Sequence, residues 1–306
     1  MNARGIVAIG GALVDVRARS RAMWAPGRSL PGIARLDAGG AARNVAVNLA
    51  RLGHLVTLAT VIGDDALGAW LLDVTARSGV SVEHVRRSRE PTGLYVSVGP
   101  AGPPQGSGTP RGGEAWSVAD ASLIEALTPA DLAAWAELIA GAAVLVADAN
   151  LTDQAHQTLT SMAKGVRVLL CTSPDKAIRL RTALNGAALV VGNRQEALAL
   201  TGLPGTLSWQ ALGTALLTEG VERAVITDAA RGVGVITVDG AAFAAALDVP
   251  VVDPTGAGDA AAAAAVHAYL AGLDPEETAR LAAAAAAAVV QSAETTPAAL
   301  AGVLSP

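Results

Sequence analysis

The sequence has 306 residues, a formal net charge of −5 and no block of basic residues, so its charge disfavours binding to nucleic acid by neutralising phosphates. Cys171 is the single cysteine, which excludes an internal disulfide framework, and apolar runs such as Ala282 to Val290 are too short to span a bilayer. Hydrophobic residues make up 52% of the chain and aromatic residues only 3%, so we expect a core of Ala, Val and Leu. The single cysteine fits a reducing compartment, so we expect a cytoplasmic protein.

Short aliphatic runs alternate with longer helical patterns along the chain. The aliphatic runs predict strands at Ile6–Ile9, Val56–Ile62, Val144–Ala147, Val166–Leu170, Ala188–Val191 and Ala224–Thr227. The segments between them predict helices at Ala42–Leu52, Ala66–Ser78, Pro129–Ala140, Asp153–Ala163, Arg194–Thr201 and Trp209–Thr218. Most of the strands are apolar on both faces, which indicates a mainly parallel sheet covered by helices on both sides. This order predicts a doubly wound α/β fold with ligands beyond the carboxyl ends of the strands.

Two segments interrupt the alternation, at about 12–38 and 92–119. The second holds a strand-like run at Leu94–Val98 and another at Ala115–Ala119, separated by a loop over 99–113 that is mostly glycine and proline. That composition does not support a helix. We interpret the two segments as a small β lid inserted into a single domain of residues 1–306; the alternative is an ordinary long surface loop.

The stretch Asp253-Pro-Thr-Gly-Ala-Gly-Asp259 carries the strongest chemical signal. Small residues directly precede an alanine-rich helical run, so unpaired backbone N–H groups and the positive end of a helix dipole meet there and favour an anion such as phosphate. Asp259, at the start of that helix, is positioned to take a proton from a hydroxyl that attacks the phosphate. The stretch therefore predicts phosphoryl transfer to an alcohol.

Three further groups of residues have both a functional and a structural interpretation. The pair Gly39-Gly40 before a helix allows a close ligand, and Asn44 suits a sugar hydroxyl, but the same residues could form a turn and a cap. Asp15 could accept hydrogen bonds from vicinal hydroxyls or form a turn. Asn193 and Glu196 have the spacing of a capping box, and the Glu196 carboxylate could also orient Mg²⁺ through water.

Together these residues resemble the PfkB, or ribokinase-like, carbohydrate kinases, and the likeness runs nearly end to end. Gly39-Gly40 to Asn44, with Ala46, Gly53 and Gly63, matches the amino-terminal signature of that family, and Asp253 to Asp259 matches the carboxyl-terminal one. The resemblance implies a ribokinase-like α/β domain with a β lid that forms a homodimer contact. It also implies transfer of phosphate from ATP to a hydroxyl of a sugar or nucleoside.

Residue roles are carried over by position. The resemblance makes Asp259 the base and the N–H groups of Gly256, Ala257 and Gly258 the anion hole. It assigns the acceptor site to Asp15, Gly39, Gly40 and Asn44. It assigns the Mg²⁺–nucleotide end of the site to Asn193, Glu196, Thr227 and Gly232, with the Glu196 carboxylate acting on Mg²⁺ through water. Asp253 matches a position that in some members helps to bind a monovalent cation such as K⁺.

Within the family, the segments Pro31–Leu36, Ala119-Asp120 and Ser292–Thr295 are most similar to pseudouridine kinases, so pseudouridine is the preferred acceptor. A free sugar such as ribose or fructose, or another nucleoside, is the alternative acceptor. From another class, a non-catalytic protein that binds sugars or nucleosides stays open, although such a protein has no need of a base at Asp259. A nicotinamide-dependent enzyme is disfavoured because Gly-x-Gly-x-x-Gly is absent after the first strand.

Overall fold

The computed structural model describes residues 5–22, 27–99, 116–298 and 300–303. Within these ranges the strands are β1 Ile6–Ile9, β2 Leu13–Ser20, β3 Gly32–Gly39, β4 Val56–Gly63, β5 Ser81–Ser88, β6 Leu94–Gly99, β7 Trp116–Ala119, β8 Val144–Asp148, β9 Val166–Leu170, β10 Leu189–Asn193, β11 Arg223–Thr227, β12 Gly232–Thr237 and β13 Gly240–Ala245. The helices are α1 Ala41–Arg51, α2 Ala66–Arg77, α3 Ser122–Glu125, α4 Pro129–Ala133, α5 Ala136–Gly141, α6 Asp153–Met162, α7 Pro174–Ala177, α8 Arg194–Thr201, α9 Trp209–Thr218, α10 Ala257–Leu270, α11 Pro275–Val290 and α12 Leu300–Val303, with 3-10 turns at Ile178–Ala183 and Ala229–Arg231.

The larger sheet has nine strands in the order β13-β12-β11-β10-β9-β8-β1-β4-β5. The seven strands from β11 to β5 run parallel, and β12 and β13 extend the sheet in antiparallel fashion. The strand order reverses between β1 and β8, which pair in register from Ile6 opposite Val144 to Ile9 opposite Ala147. Doubly wound sheets bind ligands at such a reversal. The doubly wound, mainly parallel sheet predicted from the sequence is therefore confirmed.

Helices cover both faces of this sheet because side chains of each buried strand alternate between them. In β1, Ile6 and Ala8 pack with α1, α10 and α11, whereas Val7 and Ile9 pack with helices α3 to α9 on the other face. The α10–α11 pair is built largely from alanine, and small side chains allow the two helices to lie close together. This packing fixes the amino terminus of α10 beside that of α1.

A second sheet of four strands, in the order β3-β2-β6-β7, forms from the two segments that interrupt the alternation. Residues that pair directly across neighbouring strands share one face of a sheet. The pairing therefore places Asp15, Tyr95 and Asp37 on one face and Val16, Val96 and Leu36 on the other. The predicted β lid matches this sheet; that the chain is one domain over residues 1–306 stays a prediction.

Some boundaries differ from those that the sequence predicts. The helix expected over Pro129–Ala140 is two helices, α4 and α5, because the chain turns at Trp135 and buries its indole ring in the core. The strands β5, β12 and β13 were not predicted, since β5 is polar and β12 and β13 contain glycine. Most of the glycine- and proline-rich loop at 99–113 lies outside the described residues. Among the described helices, none is both long and apolar enough to cross a membrane.

Candidate active site

The amino terminus of α10 forms a cup of backbone N–H groups. Gly256 caps the helix with a φ of +86°, and a Cβ atom there would lie 2.4 Å from the Thr295 carbonyl oxygen, so only glycine fits. The N–H groups of Gly256 and Gly258 donate to no acceptor among the described residues, while that of Ala257 donates to Pro254 O at 3.2 Å. Unpaired donors at the positive end of a helix attract anions. The cup is thus suited to a phosphate group.

Asp259, in the first turn of α10, faces Asn44 in the first turn of α1. Asn44 Nδ2 donates a hydrogen bond to Asp259 Oδ2 at 2.8 Å, across 215 residues of sequence. Burial raises the pKa of Asp259 to about 7, the hydrogen bond from Asn44 lowers it, and the charges of Asp15, Asp148 and Glu196 raise it. A carboxyl group with a pKa near neutrality is matched to the work of a general base.

Asp15 and Gly40 line the same cavity as the cup, and Gly39 packs against the Asp15 carboxylate. Asp15 lies on β2 and is 5% exposed; burial raises its pKa to about 7 against the opposing effect of Arg17. A Cβ atom at Gly39 would lie 2.1 Å from Asp15 Oδ1, and one at Gly40 would lie 2.3 Å from the Gly11 carbonyl oxygen. Gly40 also has a φ of +98°. The glycines are therefore required so that α1 begins directly against β2 and the end of β1.

Asp148 holds this corner together and was not among the residues predicted from the sequence. Its carboxylate is fully buried at the end of β8; Oδ2 accepts hydrogen bonds from the N–H groups of Gly11 and Ala42, at 2.8 and 2.9 Å, and Oδ1 accepts one from Asn150 N. Burial raises its pKa, and the three N–H donors oppose that rise. An acid that directly follows the apolar run Val144–Ala147 was the available signal.

The other end of the site follows β10 and β11. Asn193 Oδ1 accepts from Glu196 N, and Glu196 Oε2 accepts from Asn193 N at 2.7 Å, so the capping box is formed. Burial raises the pKa of Glu196, while the Asn193 N–H lowers it. Its Oε1 atom takes no hydrogen bond from the described residues. One carboxylate oxygen is thus left for a hydrated cation, so the structural interpretation of this pair is confirmed and its metal role stays a prediction.

Thr227 and Gly232 bracket a tight turn beside Asn193. Thr227 ends β11 opposite Asn193, and Gly232 has a φ of +128° and would place a Cβ atom 2.0 Å from Ala244 O. Between them, Ala229 adopts a φ of +48°, a left-handed conformation that a residue with a side chain rarely takes. The backbone at this turn is therefore held in a shape that glycine would adopt more easily.

Lys176 also lines the site, in addition to the residues predicted from the sequence. Its Nζ atom lies 3.0 Å from Glu125 Oε1 and donates to Asn150 Oδ1 at 2.9 Å, and its side chain is 18% exposed. Asn150 in turn follows Asp148. Sequence offered no signal for this arrangement, because the three residues come from separate segments that only the fold brings together.

One cavity of about 1200 Å³ joins these groups along the carboxyl ends of the strands. Its wall includes ten of the predicted site residues: Asp15, Gly40, Asn44, Asn193, Glu196, Thr227, Gly232, Ala257, Gly258 and Asp259. Gly39, Gly256 and Asp253 do not line the cavity. The two glycines pack behind its wall, Gly39 against Asp15 and Gly256 against Thr295. Among the described residues, no cluster of three or more His, Cys, Asp or Glu side chains is arranged to hold a metal ion.

Asp253 instead lies between the lid and the cup. Its Oδ2 atom is 2.8 Å from Arg17 Nη1 and 3.3 Å from Arg19 Nη2, and its Oδ1 accepts from Thr255 N. Burial acts to raise the pKa of Asp253, but Thr255 and the two arginines lower it overall. A K⁺ ion at this carboxylate would compete with two guanidinium groups; the cation site stays a prediction.

Several proteins similar to this chain are kinases. Residues 3–300 match the pfkB family carbohydrate kinase domain. The chain is 30% identical over 283 residues to the pseudouridine kinase of Escherichia coli K12, covering 90% of this chain and 87% of that protein. It is 29% identical to a carbohydrate kinase from Agrobacterium tumefaciens, with a TM-score of 0.79 and 98% of each chain covered.

The fold alone extends to more distant structures. The Arabidopsis thaliana ribokinase complexed with ribose and ATP superposes with a TM-score of 0.80 at 22% identity, covering 97% of this chain and 95% of that one. Both the sheet with its lid and the end-to-end family match agree with the resemblance drawn from the sequence. The chain is a member of the PfkB family of carbohydrate kinases.

Proposed function

We propose that this kinase transfers the γ-phosphate of ATP to a hydroxyl of a nucleoside, with pseudouridine as the preferred acceptor and pseudouridine 5′-phosphate as the product. The observation that carries the transfer is the position of Asp259, whose carboxylate lies at the cup of N–H groups with one oxygen bonded to Asn44. The similarity to pseudouridine kinase over 90% of the chain supports the choice of acceptor.

In the proposed reaction, Asp259 accepts the proton of the 5′-hydroxyl as its oxygen attacks the γ-phosphorus in line. The N–H groups of Gly256, Ala257 and Gly258 stabilise the charge that develops on the transferred phosphoryl group. Asp15 and Asn44, with the backbone at Gly39 and Gly40, hold the ribosyl hydroxyls. A buried carboxylate at Asp15 can accept hydrogen bonds from two vicinal hydroxyls.

The nucleotide is proposed to lie between Asn193, Thr227 and Gly232. Mg²⁺ keeps most of its water ligands in such sites and needs few protein carboxylates. Glu196, with one free oxygen in the cavity wall, fits that role through a bridging water. When bound, the ion neutralises charge on the phosphates; the residues of the chain orient it and exclude bulk water.

Association through the lid is also proposed. One face of the lid sheet carries two apolar ladders, formed by the cross-strand sets Val118–Val96–Val16–Leu36 and Trp116–Val98–Ala18–Ala34. Trp116 and Val118 are 65% and 71% exposed. A continuous apolar face of this kind favours a partner surface, and a second copy of the chain supplies the same face. A cytoplasmic location stays a prediction that cell fractionation would test.

An ADP-release assay over pseudouridine, uridine, adenosine, ribose and fructose tests the proposal. We expect the highest kcat/KM with pseudouridine. A preference for ribose or fructose would replace the nucleoside with a free sugar. Nucleoside binding by titration calorimetry without any ADP release would instead indicate a binding protein and would overturn the proposed transfer.

A further inference from the structure

Arg43 is a buried arginine beside the proposed base. It is 3% exposed, and its guanidinium group donates hydrogen bonds to three acceptors: Thr75 Oγ1 at 3.1 Å, Ala38 O at 3.0 Å and Asn44 Oδ1 at 3.1 Å. The last bond comes from Nη1, which also makes the bond to Ala38 O. Asn44 is thereby held at both ends of its amide, by Arg43 at the oxygen and by Asp259 at the nitrogen.

We propose that Arg43 is a positioning residue for phosphoryl transfer, because its bond to Asn44 Oδ1 keeps the Asn44 Nδ2 group directed at Asp259. This inference rests on the proposed role of Asp259 as the base. Arg43 does not itself line the cavity, and its side chain reaches the cavity wall through its bond to Asn44.

The orientation of an asparagine amide has chemical consequences because one end donates and the other accepts. With Nδ2 towards Asp259, the bond favours the charged carboxylate, which is the form that accepts a proton. A rotated amide would present Oδ1 to Asp259, which repels the carboxylate and stabilises its protonated form. A guanidinium group has donors only, so Arg43 permits one orientation and disfavours the other.

The same bond selects one oxygen of Asp259 for the acceptor. Asn44 occupies Oδ2, and Oδ1 takes no hydrogen bond from any described residue. A substrate hydroxyl therefore meets a single free oxygen at a fixed position. A displacement of about 1 Å in such a group can cost roughly 100-fold in rate.

Burial does not remove the charge of Arg43 at neutral pH. Burial and the nearby Arg51 lower its pKa to about 10, while the carboxylates of Asp15 and Asp259 act to raise it. Arg43 is thus a permanent cation near two carboxyl groups whose pKa values are raised to about 7. Its connections to Thr75 in α2 and Ala38 in β3 anchor this cation to the scaffold.

The test compares Arg43→Met with Arg51→Met, the same change at the far end of α1. We expect Arg43→Met to lower kcat by about 10- to 100-fold with little change in KM for ATP. The acidic limb of its pH–rate profile should move to higher pH, because the bond from Asn44 lowers the pKa of Asp259. Arg51→Met should keep both kcat and the acidic limb. Arg43→Lys, which retains a charge and a donor, should recover part of the rate.

A double-mutant cycle separates positioning from general stability. In an Asn44→Leu background, Arg43→Met should cause no further loss of kcat, since the two residues act in series. Losses that multiply, or an acidic limb that stays in place in Arg43→Met, would overturn the inference. Should Arg43→Met fail to fold, the Asn44 side-chain amide signals in NMR spectra of the wild type and Arg43→Lys decide it. The chemical shifts of these amide signals should change over the pH range of the acidic limb in the wild type, and should change less in Arg43→Lys. Equal changes in the two proteins would contradict the proposal.

The wild-type assay keeps this result distinct from the proposed function. Absence of ADP release with every acceptor would refute the transfer itself. The NMR titration of Asn44 would still report whether Arg43 sets the amide orientation.

Discussion

The Oδ2 atom of Asp148 accepts a hydrogen bond from the N–H group of Ala42 at 2.9 Å, and so ties the end of β8 to the first turn of α1. The same oxygen accepts a hydrogen bond from Gly11 N, just after the end of β1. One buried carboxylate therefore joins the two strands at the reversal of strand order to the helix that carries Asn44. The position of Asn44 relative to Asp259 depends on this junction.

Asp148→Ala should lower the free energy of unfolding by about 3 kcal/mol or more, since each of three N–H groups left without a partner costs about 1–3 kcal/mol. Urea denaturation measures the change. Asp73→Ala, which breaks the exposed pair with Arg77, is the control and should stay within about 0.5 kcal/mol. A similar small change in both variants would refute the role of Asp148 as a junction.

Asp259→Asn should lower kcat by about 100-fold or more, the usual contribution of a positioned base. In the wild type, kcat/KM should fall below pH 7, because the base works when deprotonated and its pKa is raised to about 7. Initial rates of ADP release from pH 5 to 9 measure both effects. Asp274→Asn, the same change at the start of α11, should keep the wild-type profile. Near-normal turnover in Asp259→Asn would exclude it as the base.

The raised pKa of Asp259 also predicts a change of stability with pH. An acid with a pKa of 3.8 unfolded and about 7 folded binds its proton more tightly in the folded state. It stabilises the fold fully below pH 3.8, and the contribution is lost as pH rises towards 7. The difference in unfolding free energy between the wild type and Asp259→Asn should therefore become less favourable to the wild type from pH 4 to 7. A constant difference over that range would contradict the raised pKa.

Ala229→Gly should stabilise the protein by up to about 1 kcal/mol. A left-handed backbone costs a residue with a Cβ atom about 1–2 kcal/mol, and the greater conformational entropy of glycine in the unfolded chain offsets part of the gain. Thermal unfolding measures the change. The adjacent Ala230→Gly serves as the matched control, since Ala230 has no positive φ; it should destabilise by about 0.5–1 kcal/mol. Destabilisation of both variants alike would show that the conformation at Ala229 is not strained.

Val118→Lys should dissociate the proposed dimer, because a charge at the exposed end of an apolar ladder must be desolvated to keep the contact. Light scattering with size-exclusion chromatography measures the mass. Val238→Lys is the control, since Val238 is 81% exposed in the turn between β12 and β13, away from the lid sheet. A monomeric wild type, or equal effects of the two substitutions, would refute association through the lid.

The parallel strands could be predicted from the sequence because burial on both faces leaves an unbroken aliphatic run, as in Val144–Ala147 and Val166–Leu170. The ligand sites at the glycine pair before Asn44 and at the small-residue stretch before Asp259 could also be predicted. Close contact between a backbone and a ligand needs particular residues that are adjacent in sequence. These local signals predicted the fold class and ten of the residues that line the cavity.

The tertiary structure decided what depends on distance across the chain. Asp148 ends an ordinary strand, Lys176 lies in a short helix, and Arg43 precedes Asn44 in a helix; no local pattern shows what their side chains contact. Their roles arise because the sheet brings residues from distant segments within 3 Å or so of each other. Burial in that small volume then raises the pKa values of Asp15 and Asp259 to about 7, and three-dimensional burial of this kind is not visible in a sequence.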